Sequence, residues 1–466
     1  MKIFNSLTRQ KEDFVPQQEG EVSMYVCGPT VYDFIHIGNA RPLVVFDTVR
    51  KYLEYKNYKV NYIQNFTDVD DKIINRAVKE NTSAEEIAQK FIQEAITDME
   101  GLGVKEPSKA PKVTEEMEEI IEMIEMLISK DHAYEKSGSV YFRTSSFEKY
   151  GELSGRKLEE LESGARVEVN EEKENPGDFV LWKARKNEQS FWESPWGEGR
   201  PGWHIECSAM AKKYIGDTID IHGGGLDLTF PHHENEIAQS ECANNAPFAK
   251  YFMHNGFINI DDEKMSKSKG NFFTVRDISK EFDYKVIRFF ILSVHYRSPV
   301  NFSHEQLEGA KSALSRIETC LNNLNFLIEK ASEFELQENE QNIMEKLSGF
   351  KTQFETAMED DFNTADAISV IFELVRFANV NVTDSSSKKM VQFVYDDIYA
   401  MCNLLGIASV DKTIELNSEI EKLIAQRQQA RAEKDFFAAD RIRDALLAKG
   451  IVLEDTRGGV RWHKVR

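Results

Sequence analysis

The first third of the chain alternates strand and helix signals, and this alternation limits the fold more than any other feature. Residues 24–27 have the apolar run of a short buried strand, which Gly28 and Pro29 end. A helical pattern follows at about 40–55, and residues 59–66 have the pattern of a second strand. Because strand, helix and strand follow each other at this spacing, we predict a Rossmann-type, doubly wound parallel sheet.

The rest of the sequence divides into segments of different character. A chain of 466 residues exceeds what one hydrophobic core can hold, so several domains are expected. We predict an α/β fold whose sheet domain carries an insertion, followed by an α-helical bundle and a small C-terminal α+β domain. Long helical patterns near 305–330, 344–358, 362–381 and 386–405 form the bundle, and the C-terminal domain has a strand pattern at 450–453. The expected segments are 1–110 (first half of the sheet domain), 111–195 (an acidic insertion), 196–275 (second half of the sheet domain), 276–305 (a connecting region), 306–410 (the helical bundle) and 411–466 (the C-terminal domain).

The cysteine content and the N-terminus indicate a protein that is not secreted. The five cysteines are an odd number and widely scattered, which argues against a disulfide framework and for reduced thiols in core or metal-binding roles. The first residues lack the apolar segment of a signal peptide, and no apolar run is long enough to cross a bilayer. We therefore expect a cytoplasmic protein without a membrane segment.

Charge is distributed unevenly along the chain. The formal net charge of −21 favours solubility and argues against a surface covered by RNA. Residues 412–466 contrast with this balance, because they contain 12 Lys and Arg against 9 Asp and Glu. This tail is a candidate RNA-facing module, with an ordinary exposed terminus as the alternative. Trp462 in the tail fits either a base-stacking role or a small core.

The run H-I-G-N at 36–39 lies between the first strand and the first helix. Backbone N–H groups and the dipole at a helix N-terminus attract phosphate, and a glycine such as Gly38 lets a nucleotide approach the backbone. The His36 imidazole can donate to a phosphate oxygen, and Asn39 is expected to be the N-cap of the helix. Taken alone, the run fits an ordinary surface loop better than a phosphate site.

A second run, K-M-S-K-S at 264–268, is rich in lysine and serine. The side chains of Lys264 and Lys267 can neutralise the charge that develops on a leaving pyrophosphate, an interaction that matters most in the transition state. A mobile loop of this kind can close over a nucleotide and reopen. A lysine-rich loop without further context is usually only solvated.

Together, the two runs resemble the signature of the class I aminoacyl-tRNA synthetases. The resemblance implies a site for ATP with Mg²⁺, formed by His36, Gly38, Asn39, Lys264 and Lys267. All of these except Gly38 are expected to act in catalysis. Asn39 stands where the family has a histidine, and an asparagine can donate a hydrogen bond but cannot carry a charge.

Four separated residues offer the donor atoms of a metal site. Cys27 lies in M-Y-V-C-G-P-T, Cys207 in P-G-W-H-I-E-C-S-A-M, and His232 with Glu236 in F-P-H-H-E-N-E-I-A. His232 and Glu236 are four positions apart, so they are predicted to share one face of a short helix that Pro231 helps to start. Two thiolates, an imidazole and a carboxylate are a suitable donor set for zinc.

Residue types alone leave alternatives open at this site. Each cysteine by itself fits a buried apolar role, and His233 is by composition as good a ligand as its neighbour. The three segments resemble those of cysteinyl-tRNA synthetases, whose zinc ligands match Cys27, Cys207, His232 and Glu236. Further segments with this resemblance are 7–10 (L-T-R-Q), 67–72 (T-D-V-D-D-K), 220–225 (D-I-H-G-G-G), 271–277 (N-F-F-T-V-R-D) and 431–444 (R-A-E-K-D-F-F-A-A-D-R-I-R-D).

The resemblance implies a substrate pocket and partners. Gly28, Thr67 and Trp203 are expected to line the pocket for the amino group and Cβ of L-cysteine, although Trp203 also fits a core aromatic. The implied enzyme activates cysteine with ATP and transfers it to the terminal adenosine of tRNA(Cys). Residues 276–305 are then expected to contact the tRNA stem and 411–466 the anticodon, in a monomer.

Two other functions fit parts of the same pattern. A related family joins cysteine to an amino sugar with the same zinc and ATP sites, but it lacks the C-terminal RNA-binding domain that residues 411–466 provide here. A non-catalytic RNA-binding relative is the other alternative, and the asparagine at position 39 favours it. The intact K-M-S-K-S run and the full set of metal donors favour an enzyme.

Overall fold

The computed structural model of the chain describes residues 1–156, 172–186, 190–260, 263–264, 273–331, 333–408, 418–448, 451–456 and 459–464. In these ranges the strands are β1 (Lys2–Asn5), β2 (Gln10–Asp13), β3 (Glu21–Val26), β4 (Lys59–Gln64), β5 (Ala133–Lys136), β6 (Ser139–Phe142), β7 (Phe179–Ala184), β8 (Gly199–Pro201), β9 (Ile219–Gly225), β10 (Ala249–Asn255), β11 (Ile258–Ile260), β12 (Glu263–Lys264), β13 (Val300–Phe302), β14 (Ile451–Thr456) and β15 (Gly459–Lys464).

The α-helices in the same ranges are distributed over the whole chain. They are α1 (Ile37–Tyr55), α2 (Asp71–Glu80), α3 (Ala84–Gly101), α4 (Met117–Ser129), α5 (Ile205–Tyr214), α6 (Glu234–Asn244), α7 (Val275–Ser279), α8 (Tyr284–Leu292), α9 (His304–Lys330), α10 (Gln341–Glu359), α11 (Thr364–Asn381), α12 (Lys388–Leu404), α13 (Ser418–Ala432) and α14 (Phe436–Ala448).

The predicted parallel sheet is confirmed. Its strands lie in the order β10-β9-β3-β4, and each neighbouring pair is parallel. From β3 the chain crosses through α1 to β4 on one side, and it later returns to the other side of β3 as β9. The direction of winding therefore reverses between β3 and β9, and in doubly wound sheets ligands bind beyond the carboxyl ends of the strands at such a point.

Helix α1 packs on this sheet through an apolar face. Leu43, Val44 and Phe46 are almost fully buried. The Phe46 ring lies so close to β9 that a Cβ on Gly223 would come within 2.5 Å of it, so glycine is needed for this contact. Removing such apolar surface from water is the main stabilising contribution to the packing.

The start of α1 corrects one prediction. The N-cap is His36, not Asn39: the His36 Nδ1 accepts the Asn39 N–H at 3.2 Å. The Asn39 Oδ1 in turn accepts the His36 N–H at 3.4 Å, which closes a capping box. The helix begins one turn earlier than its apolar pattern indicates, because a histidine ring performs the role usually given to a shorter polar side chain.

The insertion between β4 and β9 forms its own antiparallel sheet, in the order β5-β6-β7-β8. Its faces are closed by aromatic packing: the Phe142 and Phe179 rings stack at 4.9 Å, and Trp182 is fully buried. Helix α4 contributes Ile120, Ile124 and other apolar residues to the same core. The expected insertion is thus packed against the sheet domain in a shared core.

The described chain forms two compact units. The first comprises Met1–Ile317, Glu345–Val375 and Asp397–Ile407, and the second Glu318–Met344, Arg376–Asp396 and Ala408–Arg466. Within the first unit, the buried Arg288 binds Asp47 of α1 at 2.6 Å and donates to the Leu405 carbonyl at 2.6 Å. This guanidinium therefore links the sheet domain to residues after α12.

The second unit contains the end of the chain. The strand predicted at 450–453 is β14, which pairs with β15 as an antiparallel hairpin and places Leu453 opposite Trp462. Leu446 and Leu453 are buried together with side chains of α13 and α14. The helices after residue 300 confirm the predicted helical part, and none of the described helices is long and apolar enough to cross a membrane.

Candidate active site

The predicted metal donors lie together at the point where the winding of the sheet reverses. Cys27 directly follows β3, and Cys207 lies in the first turn of α5. His232 lies in a π-helical turn, Thr229–His233, that leads into α6, and Glu236 lies in α6 itself. As expected, the helical backbone that carries both residues starts at Pro231, directly after the non-helical Phe230, and His232 and Glu236 are in contact four positions apart. The first turn is π-helical, and regular α-helix begins at residue 234.

The distances within this cluster are short. The Cys27 Sγ is 3.9 Å from the Cys207 Sγ and 3.4 Å from the Glu236 Oε1. The His232 Nε2 is 2.7 Å from the same carboxylate oxygen. One donor atom from each residue falls within a group whose members are all within 4.8 Å of one another. The geometry thus brings together the four residues that the sequence predicted.

A second donor group overlaps the first. It shares Cys27 and Glu236 but contains His222 and His233 in place of Cys207 and His232. The His222 Nε2 is 2.5 Å from the Glu236 Oε2, and its Nδ1 is 3.1 Å from the Tyr25 carbonyl. His232 and His233 therefore both lie close to the Glu236 carboxylate, so position alone does not decide which of them binds a metal ion.

Proton affinities in the cluster follow from burial and charge. Burial disfavours the imidazolium of His232, but the Glu236 carboxylate outweighs it and raises the pKa of His232 to about 10. Burial also opposes ionisation of Glu236, yet the surrounding imidazoles hold its pKa well below the usual range.

The two thiols differ in the same way. A hydrogen bond from the Cys27 thiol lowers the pKa of Cys207 to about 7, against the effect of burial. Burial, with the neighbouring Cys207 sulfur, raises the pKa of Cys27 well above its usual value. Cys207 is therefore the sulfur that ionises first, and thiolate is the form that binds metals.

The donor set fits a metal ion. Cys207, His232 and Glu236 are almost fully buried, and Cys27 keeps partial exposure toward solvent. Sulfur, imidazole nitrogen and carboxylate oxygen converge on one position, as in tetrahedral protein metal sites. The His232 Nδ1 lies 2.8 Å from the His204 Nδ1, a contact that orients the ring. This group can hold a metal ion.

The predicted pocket residues border the cluster. The Gly28 N–H donates to the Asn65 Oδ1 at 3.0 Å, and a Cβ on Gly28 would overlap the Asn65 carbonyl. The Trp203 side chain is 40% exposed, and its ring centroid is 4.3 Å from that of His232. Trp203 is therefore not a core aromatic but covers one metal donor. Thr67 is buried and contacts Glu206.

The first motif contacts the residues that follow the second one. The Ile37 N–H donates to the Phe273 carbonyl at 3.1 Å, and His36 pairs with Thr274. Gly38 and Asn39 lie in the same first turn of α1. The start of α1 and the chain immediately after residue 272 thus form one local structure.

The second motif is described only at its first residue. The backbone of Lys264 pairs with Asn259 as part of β12. The rest of the run, including Lys267, lies outside the described residues. The structure therefore describes residues 36–39 at the start of α1 and the chain before and after the second motif. The roles of Lys264 and Lys267 stay predictions.

Three residues of the site were missed from the sequence. Asn65 bridges the pocket, since its Oδ1 accepts from Gly28 and its Nδ2 donates to the Thr67 Oγ1 at 3.3 Å. His222 belongs to the D-I-H-G-G-G run but received no role. Glu206 immediately precedes a metal donor, and its one signal was a charged residue within an apolar helix start; burial raises the pKa of its carboxyl well above the usual range.

Comparison with protein families agrees with this geometry. Residues 13–312 match the family described as tRNA synthetases class I (C) catalytic domain. Residues 353–409 match the DALR domain, and residues 413–462 the cysteinyl-tRNA ligase anticodon binding domain. The parallel sheet, its antiparallel insertion and the helical parts that follow define a class I tRNA synthetase.

Individual relatives specify the family further. The chain is 57% identical over 469 residues to a cysteine--tRNA ligase of Lachnoclostridium phytofermentans, covering 100% of both chains. It is 56% identical over 465 residues to a cysteine--tRNA ligase of Clostridioides difficile, again covering 100% of both. The chain belongs to the cysteine--tRNA ligase family.

Solved structures of other synthetases share the fold. A methionyl-tRNA synthetase of Mycobacterium tuberculosis, in complex with methionyl-adenylate, superposes with a TM-score of 0.61 at 14% identity, covering 83% of this chain and 90% of that one. A LeuRS of Agrobacterium radiobacter, in a ternary complex, gives a TM-score of 0.62 at 11% identity, covering 85% and 87%. At these identities the likeness concerns the fold alone.

Proposed function

We propose that this chain activates L-cysteine with ATP and transfers it to the terminal adenosine of tRNA(Cys). The observation that carries the proposal is the buried group of Cys27, Cys207, His232 and Glu236 at the reversal point of a class I sheet. A metal ion held by sulfur donors favours a thiol ligand, and the thiol group distinguishes cysteine from the other protein amino acids.

The proposed metal is zinc, one ion per chain, held by these four residues. Bound zinc would accept the cysteine thiolate as a ligand, a bond that neither a serine hydroxyl nor an alanine methyl can match. The Trp203 ring covers the side next to His232. Gly28 and Thr67 are proposed to border the Cβ and amino group of the substrate.

The ATP step is proposed to depend on the start of α1. The cysteine carboxylate attacks the α-phosphate, and pyrophosphate leaves as the cysteinyl-adenylate forms. Since the His36 Nδ1 accepts the Asn39 N–H, a neutral His36 ring carries its hydrogen on Nε2, where it can donate to a phosphate oxygen. Lys264 and Lys267 are proposed to bind the leaving pyrophosphate with Mg²⁺, so that positioning and charge stabilisation lower the barrier.

Asn39 is proposed to support this step by holding the first turn of α1 in place. Its side chain is committed to the capping box, so it fixes the first turn of α1 and with it the backbone at Gly38. An uncharged residue is sufficient for that role, which removes the main argument for a non-catalytic relative.

Transfer to tRNA is the second proposed step. The 2′-hydroxyl of the terminal adenosine attacks the adenylate carbonyl, and AMP leaves. Residues 276–305 are proposed to contact the tRNA stem and 411–466 the anticodon, an assignment that the family match over 413–462 supports. The same match favours tRNA over an amino sugar as acceptor. We further propose a monomer that acts in the cytoplasm.

Two assays test the proposal. Purified protein should catalyse ATP–pyrophosphate exchange that depends on cysteine and is not supported by serine or alanine. With tRNA(Cys) it should form cysteinyl-tRNA, whereas an amino sugar acceptor should give no product. Exchange with serine as efficient as with cysteine would contradict the metal-based selection, and absence of charging would contradict the acceptor.

A further inference from the structure

Glu206 is a buried acid next to the metal donors. Its side chain is 1% exposed, in the first turn of α5 beside Cys207. It accepts a hydrogen bond from the Thr67 Oγ1 at 3.3 Å. Within the described residues, no lysine or arginine forms an ion pair with it. A buried carboxylate is costly unless a cation balances it, so Glu206 lacks the partner that its charged form requires.

A short path of side chains connects this acid to the metal cluster. The Asn65 Oδ1 lies 3.9 Å from the Cys207 Sγ, and the Asn65 Nδ2 donates to the Thr67 Oγ1 at 3.3 Å. The Thr67 hydroxyl then contacts Glu206. The carboxyl therefore borders the same pocket wall as the sulfur donors.

The other acids near this wall already have their own partners. Asp68 accepts the Thr114 N–H at 3.0 Å and its hydroxyl at 2.5 Å. Glu234 accepts two backbone N–H groups, from residues 151 and 154, at 2.9 and 2.8 Å. Glu236 is a metal donor. Glu206 differs from these acids, because among the described residues it has one hydrogen bond, from the Thr67 hydroxyl, and forms no ion pair, although the charge of His232 acts on it.

The proposed substrate, cysteine, carries its ammonium cation close to its sulfur atom. In cysteine the ammonium nitrogen is three bonds from the sulfur, so the two atoms are at most about 4 Å apart. A cysteine whose sulfur lies beside Cys27 and Cys207 therefore carries its ammonium to the side chains that border those donors.

We propose that Glu206 is the counter-ion of the substrate α-ammonium, with Thr67 between them as a shared hydrogen-bonding group. This assignment rests on the proposed function and names a specificity residue for it. The metal cluster then recognises the thiol and Glu206 the amino group. A thiol without an ammonium gains nothing from the carboxylate, since it leaves that charge buried and unpaired.

The experiment compares two ligands on the metal-loaded full-length protein. L-cysteine has both groups, whereas 3-mercaptopropionate has the same thiol and carboxylate but no ammonium. E206Q keeps the size of the side chain and an acceptor for Thr67 but removes the charge. We expect E206Q to weaken cysteine binding by about tenfold to a hundredfold and to change 3-mercaptopropionate binding little or to tighten it, measured by calorimetry.

Binding of 3-mercaptopropionate also shows that E206Q is folded and holds its metal. E234Q is the matched control, because it alters a buried acid whose partners are backbone N–H groups and should affect both ligands by the same factor. Equal weakening of both ligands by E206Q, or no effect on either, would overturn the assignment. Failure of the wild-type protein to bind either thiol would instead overturn the proposed function.

Discussion

At the scale of single residues, the sequence predicted the metal donors but not what surrounds them. Cysteines and histidines were recognisable because their donor atoms are chemically distinctive. Asn65 and Glu206 were not, since an amide or carboxyl gains its role only from neighbours that the fold brings close. The choice between His232 and His233 stays open in geometry as well, because each belongs to one of two overlapping donor groups.

The two donor groups lead to a test of metal retention. C207S removes a donor from only the first group, and a serine hydroxyl is a poor zinc ligand at neutral pH. We expect C207S to lose more metal affinity than the roughly tenfold to hundredfold that follows loss of a group which only supports a ligand, measured as zinc content after dialysis against a chelator. C242S is the control, because Cys242 is also buried but belongs to neither group, and it should keep its metal. Full retention by C207S would favour the group that contains His222.

The pKa pattern gives a second test at this scale. With the pKa of Cys207 at about 7, its thiolate fraction in the metal-free protein falls as the pH drops below that value. Uptake of zinc by the metal-free protein should therefore weaken from pH 8 to pH 6, with protons released on binding. Titration calorimetry in buffers of different ionisation enthalpy measures that release. A release of zero protons at pH 6 would contradict the assignment.

At the scale of elements, long periodic segments were predicted well and their ends were not. Helices α9 to α12 begin and end within a few residues of their apolar patterns. The beginning of α1 was wrong, because a histidine caps it in place of the shorter polar side chains usual at that position. The π-helical turn before α6 was not predicted, because no local preference encodes it. Of hairpin β14–β15 only the first strand was predicted, because the second strand carries charged residues that obscure its apolar pattern.

One buried cation joins several elements. Arg41 in α1 is fully buried, and its guanidinium donates to the carbonyls of Gly256, Phe257, His295 and Ser298. These carbonyls lie just before β11, which precedes the second motif, and just before β13, which follows it and pairs with β11 in parallel. Arg41 therefore fixes the base of those strands against the helix that carries the first motif.

Replacement of Arg41 should be costly. R41M leaves four carbonyls without their donor, for which we expect a loss of about 3–5 kcal/mol of stability and a thermal midpoint lower by several degrees. K59M is the comparison, since Lys59 is exposed and forms a surface ion pair with Glu21, so this variant should change stability by less than about 0.5 kcal/mol. Equal thermal midpoints for the two variants would show that the carbonyl contacts contribute little.

At the scale of the whole molecule, the order of segments was predictable because strand and helix periods differ clearly. The fold class, the insertion and the later helical parts were all confirmed, whereas the antiparallel sheet of the insertion was not predicted. The order β10-β9-β3-β4 was not readable from the sequence, since strand neighbours are chosen by packing across residues far apart in the chain. The two runs of the proposed ATP site, at 36–39 and 264–268, are likewise far apart in the chain.

The C-terminal part leads to a test at this scale. A version ending at residue 408 keeps the described metal cluster and α1, so it should retain cysteine-dependent pyrophosphate exchange near the full-length rate. Charging of tRNA(Cys) should fall by about tenfold or more, because each stacked base contributes roughly 1–3 kcal/mol to binding. Both activities are measured on the two proteins in parallel. Equal charging by both would remove the anticodon role from residues 411–466.

The central position of β3 has a consequence for synthesis on the ribosome. Only one edge of β3 can pair when β4 has emerged, and the other stays open until residues 219–225 are made. At about 5–20 residues per second this interval lasts roughly 8–30 s. An unpaired strand edge is a template for aggregation, so the nascent chain is most vulnerable while its insertion is being translated.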